Sequence, residues 1–381
     1  MSGDQTDEFE EAARHLREVM GQLYSDDPAQ AQARLAEMEA HEALGVYRAE
    51  PSDTAQEARS RPKSIGLWGA PSSGKTTFLA ALSVAVNRAS RDLNIFGVDD
   101  DSTEFMVDSN RMLTNKHRFP EGTQSVSSYS WTMNMTTMVQ PDKSSRFARS
   151  GAPVAVPTQF NLDLRDAPGR SFGSDPGGAL GSVLDLGDGT PEAPADPEEM
   201  MDYLTGTRGL LLLIDPIRER RHGDAHEYLQ GTLLRSAHRR MALMPPGSKL
   251  PHHVAVCITK FDDPEVYRFA RLNGYRTYDD DDPYMFPQVR SDDAESFLRE
   301  ICNSDISDAD LICDSLQKFF HPERIRYFVT SAVGFYLKGE RFRESDSQNV
   351  VQQDGQVRIR GQIHPINVLE PILWLGQNVG A

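Results

Sequence analysis

Residues 65–82 read IGLWGAPSSGKTTFLAAL, in which Gly69, Gly74, Lys75 and Thr76 satisfy G-x-x-x-x-G-K-[ST] between an apolar run and an amphipathic one. Small residues at Ser72, Ser73 and Gly74 let the backbone curl, so that successive N–H groups on to Thr76 and Thr77 point inward at an anion. The helix that follows adds the positive end of its dipole. Such a cradle takes phosphate groups. Lys75 is then placed to neutralise the β- and γ-phosphates of a nucleotide, and the Thr76 hydroxyl to ligate Mg²⁺.

Three later motifs bear on which nucleotide. LDLRDAPG, residues 162–169, ends an alternating run with D-x-x-G, where Asp166 can hold the Mg²⁺ shell and the Gly169 amide can meet a γ-phosphate. VAVCITKFDDP, residues 254–264, ends a buried run with T-K-x-D. A carboxylate at Asp262 accepts both N–H donors on the Watson–Crick edge of guanine, and adenine presents no such pair. Lys260 would lay its stem across the base, and Thr259 stands where asparagine is usual, keeping a hydrogen-bonding group with a shorter reach. In VTSAVG, Ser331 and Ala332 offer a short side chain and an amide to the guanine carbonyl. A rival carboxylate is Asp215, after the apolar run at 210–214, which matches the strand-end aspartate of a P-loop ATPase and would make Asp166 irrelevant.

The elements that must hold these residues are short apolar runs alternating with helical ones, the pattern of an α/β sheet. Strands are expected at 64–68, 128–139, 154–164, 209–214, 253–258 and 324–330, and helices at 75–88, 224–244, 308–320 and 368–375. The runs at 128–139 and 154–164 alternate strictly and predict one antiparallel hairpin, half-buried at a sheet edge; the others are continuously apolar, as in strands covered on both faces. The expectation is a three-layer α/β sandwich of about six mainly parallel strands with one antiparallel edge hairpin, in a domain spanning 62–381. Insertions fall near 89–122, 171–206 and 270–295. The run Asp279–Asp282 in the last lacks the spaced ligands and turn glycine of a calcium loop. His252, His253, Trp68 and Trp374 read as structural residues.

Residues 1–61 hold 14 acidic and 6 basic residues, with two amphipathic helical patterns and a polar linker, and are expected to form a separate helical extension. The whole chain of 381 residues carries a net charge of -17, which argues against nucleic acid or an anionic membrane as the main partner. A hydrophobic fraction of 38% is low for this length and fits solvated insertions around an ordinary core. The 3 cysteines, Cys257, Cys302 and Cys313, are odd in number and have no C-x-x-C spacing, so neither a disulfide framework nor a zinc site is indicated, which fits a reducing compartment. An acidic start and the lack of any long apolar stretch predict a cytoplasmic protein without a transmembrane segment.

Four motifs in this order, each at the carboxyl end of an expected strand, resemble the Ras-like GTPases of the translation-factor-related class. The resemblance covers about residues 63–381. The long first insertion, the FPEGT stretch and the tail HPINVLEPILWLG are similar to the bacterial double-GTPase (DO-GTPase) families of conflict or signalling systems. The resemblance implies GTP and GDP as ligands with Mg²⁺, and a switch protein read by a protein partner at its switch loops or its acidic N-terminal helices. It also makes Thr123 the first-switch threonine that closes on Mg²⁺ and γ-phosphate, with Lys75 and Gly169 as the other catalytic groups. Thr158 is the nearest rival to Thr123, but it lies inside the alternating strand. Many relatives carry a water-orienting glutamine after D-x-x-G, and here the residue is Arg170, which cannot accept a hydrogen bond from water. Hydrolysis is therefore expected to be slow, unless Arg111, Arg118 or Arg170 stabilises the leaving phosphate. The alternatives are a scaffold clasped by nucleotide without turnover, and an ATPase using Asp215.

Overall fold

All six residues of Gly209–Ile214 are buried, so the strand they form must be covered on both faces. The computed structural model describes residues 64–70, 72–89, 93–120, 127–139, 154–166, 206–229, 231, 245, 247–303, 307 and 309–379. In chain order these form β1 (Ile65–Gly69), α1 (Lys75–Arg88), β2 (Asn94–Gly97), α2 (Asp100–Thr114), β3 (Ser127–Val139), β4 (Val154–Asp166) and β5 (Gly209–Ile214). Then follow α3 (Pro216–His222), β6 (His253–Ile258), α4 (Pro264–Leu272), β7 (Arg276–Tyr278), β8 (Pro287–Val289), α5 (Ala294–Ile301), α6 (Ala309–Phe319), β9 (Ile325–Val329), β10 (Val350–Gln353), β11 (Gln356–Ile359) and α7 (Leu369–Val379).

The central sheet has four parallel strands in the order β1-β5-β6-β9, with Ile65 opposite Gly209 and Val254 opposite Ile325. Successive side chains on a strand point to opposite faces. Leu210, Leu212 and Ile214 therefore share one face with Trp68, Val254 and Val256, and meet Val266 of α4, Phe297 of α5 and Leu316 of α6. Leu211 and Leu213 share the other with Leu67 and Ala255, against Phe78 and Leu82 of α1 and Ile372 and Leu375 of α7. The result is the expected helix–sheet–helix layering.

The single sheet with an edge hairpin needs correction. β3 and β4 do pair antiparallel, from Ser127 opposite Asp166 to Val139 opposite Val154, but they form a separate three-stranded sheet with β2, in the order β2-β3-β4. β4 comes up against β1 without a ladder between them. The extra strand lies inside the stretch read as an insertion; it is four residues long with two of them apolar, too little to announce itself. Behind it α2 starts at Asp99, whose carboxylate takes the Ser102 N–H at 2.7 Å. Phe105 of α2 then packs against Tyr129, the two rings tilted by 32° with centroids 4.0 Å apart.

The insertion at 270–295 is ordered by the hairpin of β7 and β8. Asp279 takes the N–H of Asp281 at 3.0 Å, and Asp282 takes those of Tyr284 and Phe286 at 3.0 and 2.8 Å, so the acidic run caps its own turn. Among the described residues no cluster of His, Cys, Asp or Glu could hold a metal, and no helix is long and apolar enough to cross a membrane. All three cysteines are free and buried. The extension 1–61, nearly all of the insertion 171–206 and most of the helix expected at 224–244 lie outside the described residues.

Candidate nucleotide-binding site

The phosphate loop leaves the buried end of β1 at Gly69. A Cβ there would lie 2.6 Å from the Leu213 carbonyl oxygen and 2.7 Å from Ser73 Oγ, closer than atoms pack, so β1 can approach β5 only as glycine. Gly69→Ala is expected to lower the stability of the chain by about 1–3 kcal/mol through overpacking, read as a shift in the urea midpoint. The loop then takes two left-handed residues, Ser72 at φ 62° and Gly74 at φ 94°, with the Ser73 N–H on the Ala70 carbonyl at 3.2 Å. Gly74 also stands at the N-cap of α1, where it offers no side chain to the first-turn N–H groups, and no acidic residue occupies that turn. By contrast α2, α3 and α4 each begin on an aspartate whose carboxylate takes an N–H. The start of α1 thus carries no acidic side chain, and the positive end of its dipole suits an anion.

Lys75 is 6% exposed, and its Nζ donates to the Gly69 and Ala70 carbonyls at 3.0 and 3.2 Å, which holds the ammonium over the loop. Thr76 and Thr77 are half-buried in the first turn of α1. Ser73 Oγ is fully buried and has no partner among the described residues. Such an orphaned hydroxyl in a phosphate loop is a donor in want of an acceptor.

The second half of the site follows β6. The Thr259 N–H bonds the Ile214 carbonyl at 2.8 Å, and its hydroxyl lies 3.0 Å from the Ser73 carbonyl and 3.1 Å from that of Ile214. The shorter reach of threonine is therefore enough to tie this loop to the phosphate loop. Lys260 follows in the left-handed region at φ 60°, with Nζ 2.5 Å from Asp215 Oδ2. Phe261 is fully buried, its N–H on the Thr330 carbonyl at 3.0 Å, which ties the loop after β6 to the loop after β9. Asp262 is 8% exposed and accepts a hydrogen bond from Ser331 Oγ, which itself accepts from the Gly334 N–H at 2.7 Å. Burial pushes the Asp262 carboxyl up to about 6, against the opposing pull of the Ser331 hydroxyl. Ala332 is half-buried beside them, and no group among the described residues takes its N–H.

The structure thus brings together Gly69, Ser72, Ser73 and Gly74 on one loop, Lys75, Thr76 and Thr77 in the helical turn that follows it, and Thr259, Lys260, Asp262, Ser331 and Ala332 on two other loops. Asp166 is the last residue of β4, but its side chain and that of Thr158 lie outside the described residues, as do Thr123, Gly169 and Arg170. Arg111 and Arg118 are exposed and their side chains make no hydrogen bond or ion pair among the described residues. Asp215 is committed elsewhere: Oδ1 caps α3 through the Ile217 N–H at 3.0 Å and Oδ2 holds Lys260. Its partnership with Lys260 was missed in the sequence, although Asp215-Pro216 is a helix-start signal for its capping half.

Parallel sheet, phosphate loop and following helix are consistent with a P-loop nucleotide-binding fold. No protein-family model and no curated protein matches the chain. Among solved structures it is similar to the signal recognition particle receptor SRb-GTP/SRX complex from Chaetomium thermophilum, at 14% identity and a TM-score of 0.27, over 71% of this chain and 94% of that one. A GDP-bound mutant of NFeoB from S. thermophilus is similar at 12% identity and a TM-score of 0.22, over 71% of this chain; the chain spans 55% of that one. The S. cerevisiae Ski7 GTPase-like domain bound to GDP and inorganic phosphate is similar at 10% identity and a TM-score of 0.24, over 74% of this chain and 45% of that one. At such scores, what the site can bind has to be read from the chain's own residues.

Proposed function

We propose that this chain is a guanine-nucleotide switch that binds GTP and GDP with Mg²⁺ and hydrolyses GTP slowly. The observation that carries the reading is the bond from the Thr259 hydroxyl to the Ser73 carbonyl at 3.0 Å, which joins a phosphate cradle to a loop bearing a buried, acceptor-only carboxylate. Asp262, steadied by Ser331, suits the paired N–H donors of guanine and repels adenine. An ATPase reading through Asp215 fits less well, because both oxygens of that carboxylate are engaged.

A hydroxyl at Thr76 in a first turn free of carboxylates, with Asp166 ending β4, is a donor set suited to Mg²⁺. Bound there, the ion would neutralise charge on the β- and γ-phosphates. Lys75 adds its own charge to the same phosphates. Thr123 and Gly169 are the groups whose position would depend on the γ-phosphate, and their loops would present the difference to a protein partner, by our reading in a multi-component bacterial system. Arg170 after D-x-x-G orients no water, which sets turnover on the order of 10⁻⁴ to 10⁻² s⁻¹ without a partner.

Calorimetry with Mg·GTP and Mg·ATP tests the reading, with guanine expected to be preferred by about 10² or more; equal affinities would refute it. Single-turnover hydrolysis with and without Mg²⁺ separates a switch from a scaffold that merely keeps its nucleotide. The carboxyl of Asp262 also sets a pH dependence. Guanine needs the ionised form, so affinity should fall about tenfold per pH unit below about 6 and level off above it. Stability of the nucleotide-free chain runs the other way. The folded carboxyl sits above its unfolded value, so this group's stabilisation is complete below about 4 and is lost as pH rises through about 6, which thermal melts would show.

A further inference from the structure

Lys260 combines two features that do not come together by default. Its backbone is left-handed at φ 60°, a conformation that strains a residue with a Cβ. Its side chain is 43% exposed, yet the head is fixed 2.5 Å from Asp215 Oδ2, a carboxylate only 4% exposed. The backbone is held from both sides, by Thr259 on the Ile214 and Ser73 carbonyls and by Phe261 on the Thr330 carbonyl. Free lysine stems sample many rotamers. With both ends pinned, this one becomes a strip of four methylenes beginning two residues before Asp262.

We infer that Asp215 is a positioning residue for the nucleotide: by holding Lys260 Nζ it sets the Lys260 stem as the shelf for the flat face of a purine. This rests on the guanine-nucleotide reading above, in which the Lys260 stem already lies across the base, and adds the group that fixes that stem. Asp262 reads the edge of the base, where purines differ. A shelf reads the face, which they share. The two roles have separable signatures.

Asp215→Asn and Asp215→Ser both keep an acceptor for the Ile217 N–H, so α3 keeps its cap and the melting temperature should move little. Each loses the charge that holds Lys260. Titrated with Mg·GDP, Mg·IDP and Mg·XDP, the full chain carrying either change should bind all three about fivefold to tenfold more weakly, with their ratios unchanged. In a Lys260→Met background, Asp215→Asn should bring no further loss, because the group it acts through is gone. Unchanged GDP affinity in Asp215→Asn, an equal loss in both backgrounds, or an altered ratio among the bases would each overturn the inference. A wild-type chain that prefers XDP or IDP to GDP while Asp215→Asn still weakens all three would instead sink the guanine assignment and leave the shelf standing. A wild-type chain that binds no purine nucleotide would remove both.

Discussion

Asp262→Asn is expected to move the preference of the site from guanine to xanthine. Asparagine has the same shape, and its carbonyl can still receive the Ser331 hydroxyl that Asp262 receives now. Its amide nitrogen, however, is a donor, and it would face the amine of guanine, donor against donor. Xanthine puts a carbonyl at that position. A site that strands a buried polar group rejects a ligand strongly, so GTP affinity should drop by about 10² or more while XTP gains. The fold should survive, because a neutral amide replaces a carboxyl that burial already pushes up to about 6. Calorimetry with GTP and XTP reads the outcome, and an unchanged GTP affinity would mean that Asp262 does not touch the base.

Lys75→Ala is the second large effect. Lys75 is 6% exposed and its ammonium lies over the loop on the Gly69 and Ala70 carbonyls, at the first residue of α1. Its removal leaves a phosphate chain without that charge in a site of low dielectric, and Mg·GTP affinity should fall by about 10² or more. Guanosine, which carries no phosphate, should bind the variant as it binds the wild type. Thr76→Ala should share the loss for Mg·GTP but only in the presence of the metal. Wild-type affinity for Mg·GTP in Lys75→Ala would remove the phosphate-loop assignment.

The shape of the candidate phosphate loop is legible in the sequence because its residues are consecutive, and local backbone rules decide what Gly69 and Gly74 can do there. The T-K-x-D and S-A loops are legible for the same reason. What crosses between elements is not. The pairing of Lys260 with Asp215 joins residues on two loops far apart in the chain, and an aspartate after a strand reads equally as a cap, a metal ligand or a lysine partner. The division into two sheets is hidden likewise: strict alternation in β3 and β4 says that one face is buried, but not that Asn94–Gly97 takes the outer position. The helix starts at Asp99, inside the stretch read as an insertion, and at Asp263-Pro264, ahead of the one at 270–295, are both marked by capping aspartates. Expectations for Thr123, Gly169 and Arg170 remain those of the resemblance.

The two loops that meet at Ser73 and Thr259 belong to β1 and β6, and the strand between them, β5, lends the Ile214 carbonyl to the same threonine. Phe261 then extends the chain of bonds to the loop after β9. All four strands of the parallel sheet must be seated before this whole chain of bonds is complete. Pairing strands so distant along the chain is slow, because loop closure comes before the contacts that reward it. A nucleotide that recognises only the finished arrangement would stabilise it by mass action, by about 2.7 kcal/mol at a hundredfold excess over its dissociation constant. On the proposed reading, the lifetime of this chain in a cell would then follow the supply of guanine nucleotide, with the empty protein exposed to proteases and the loaded one protected from them.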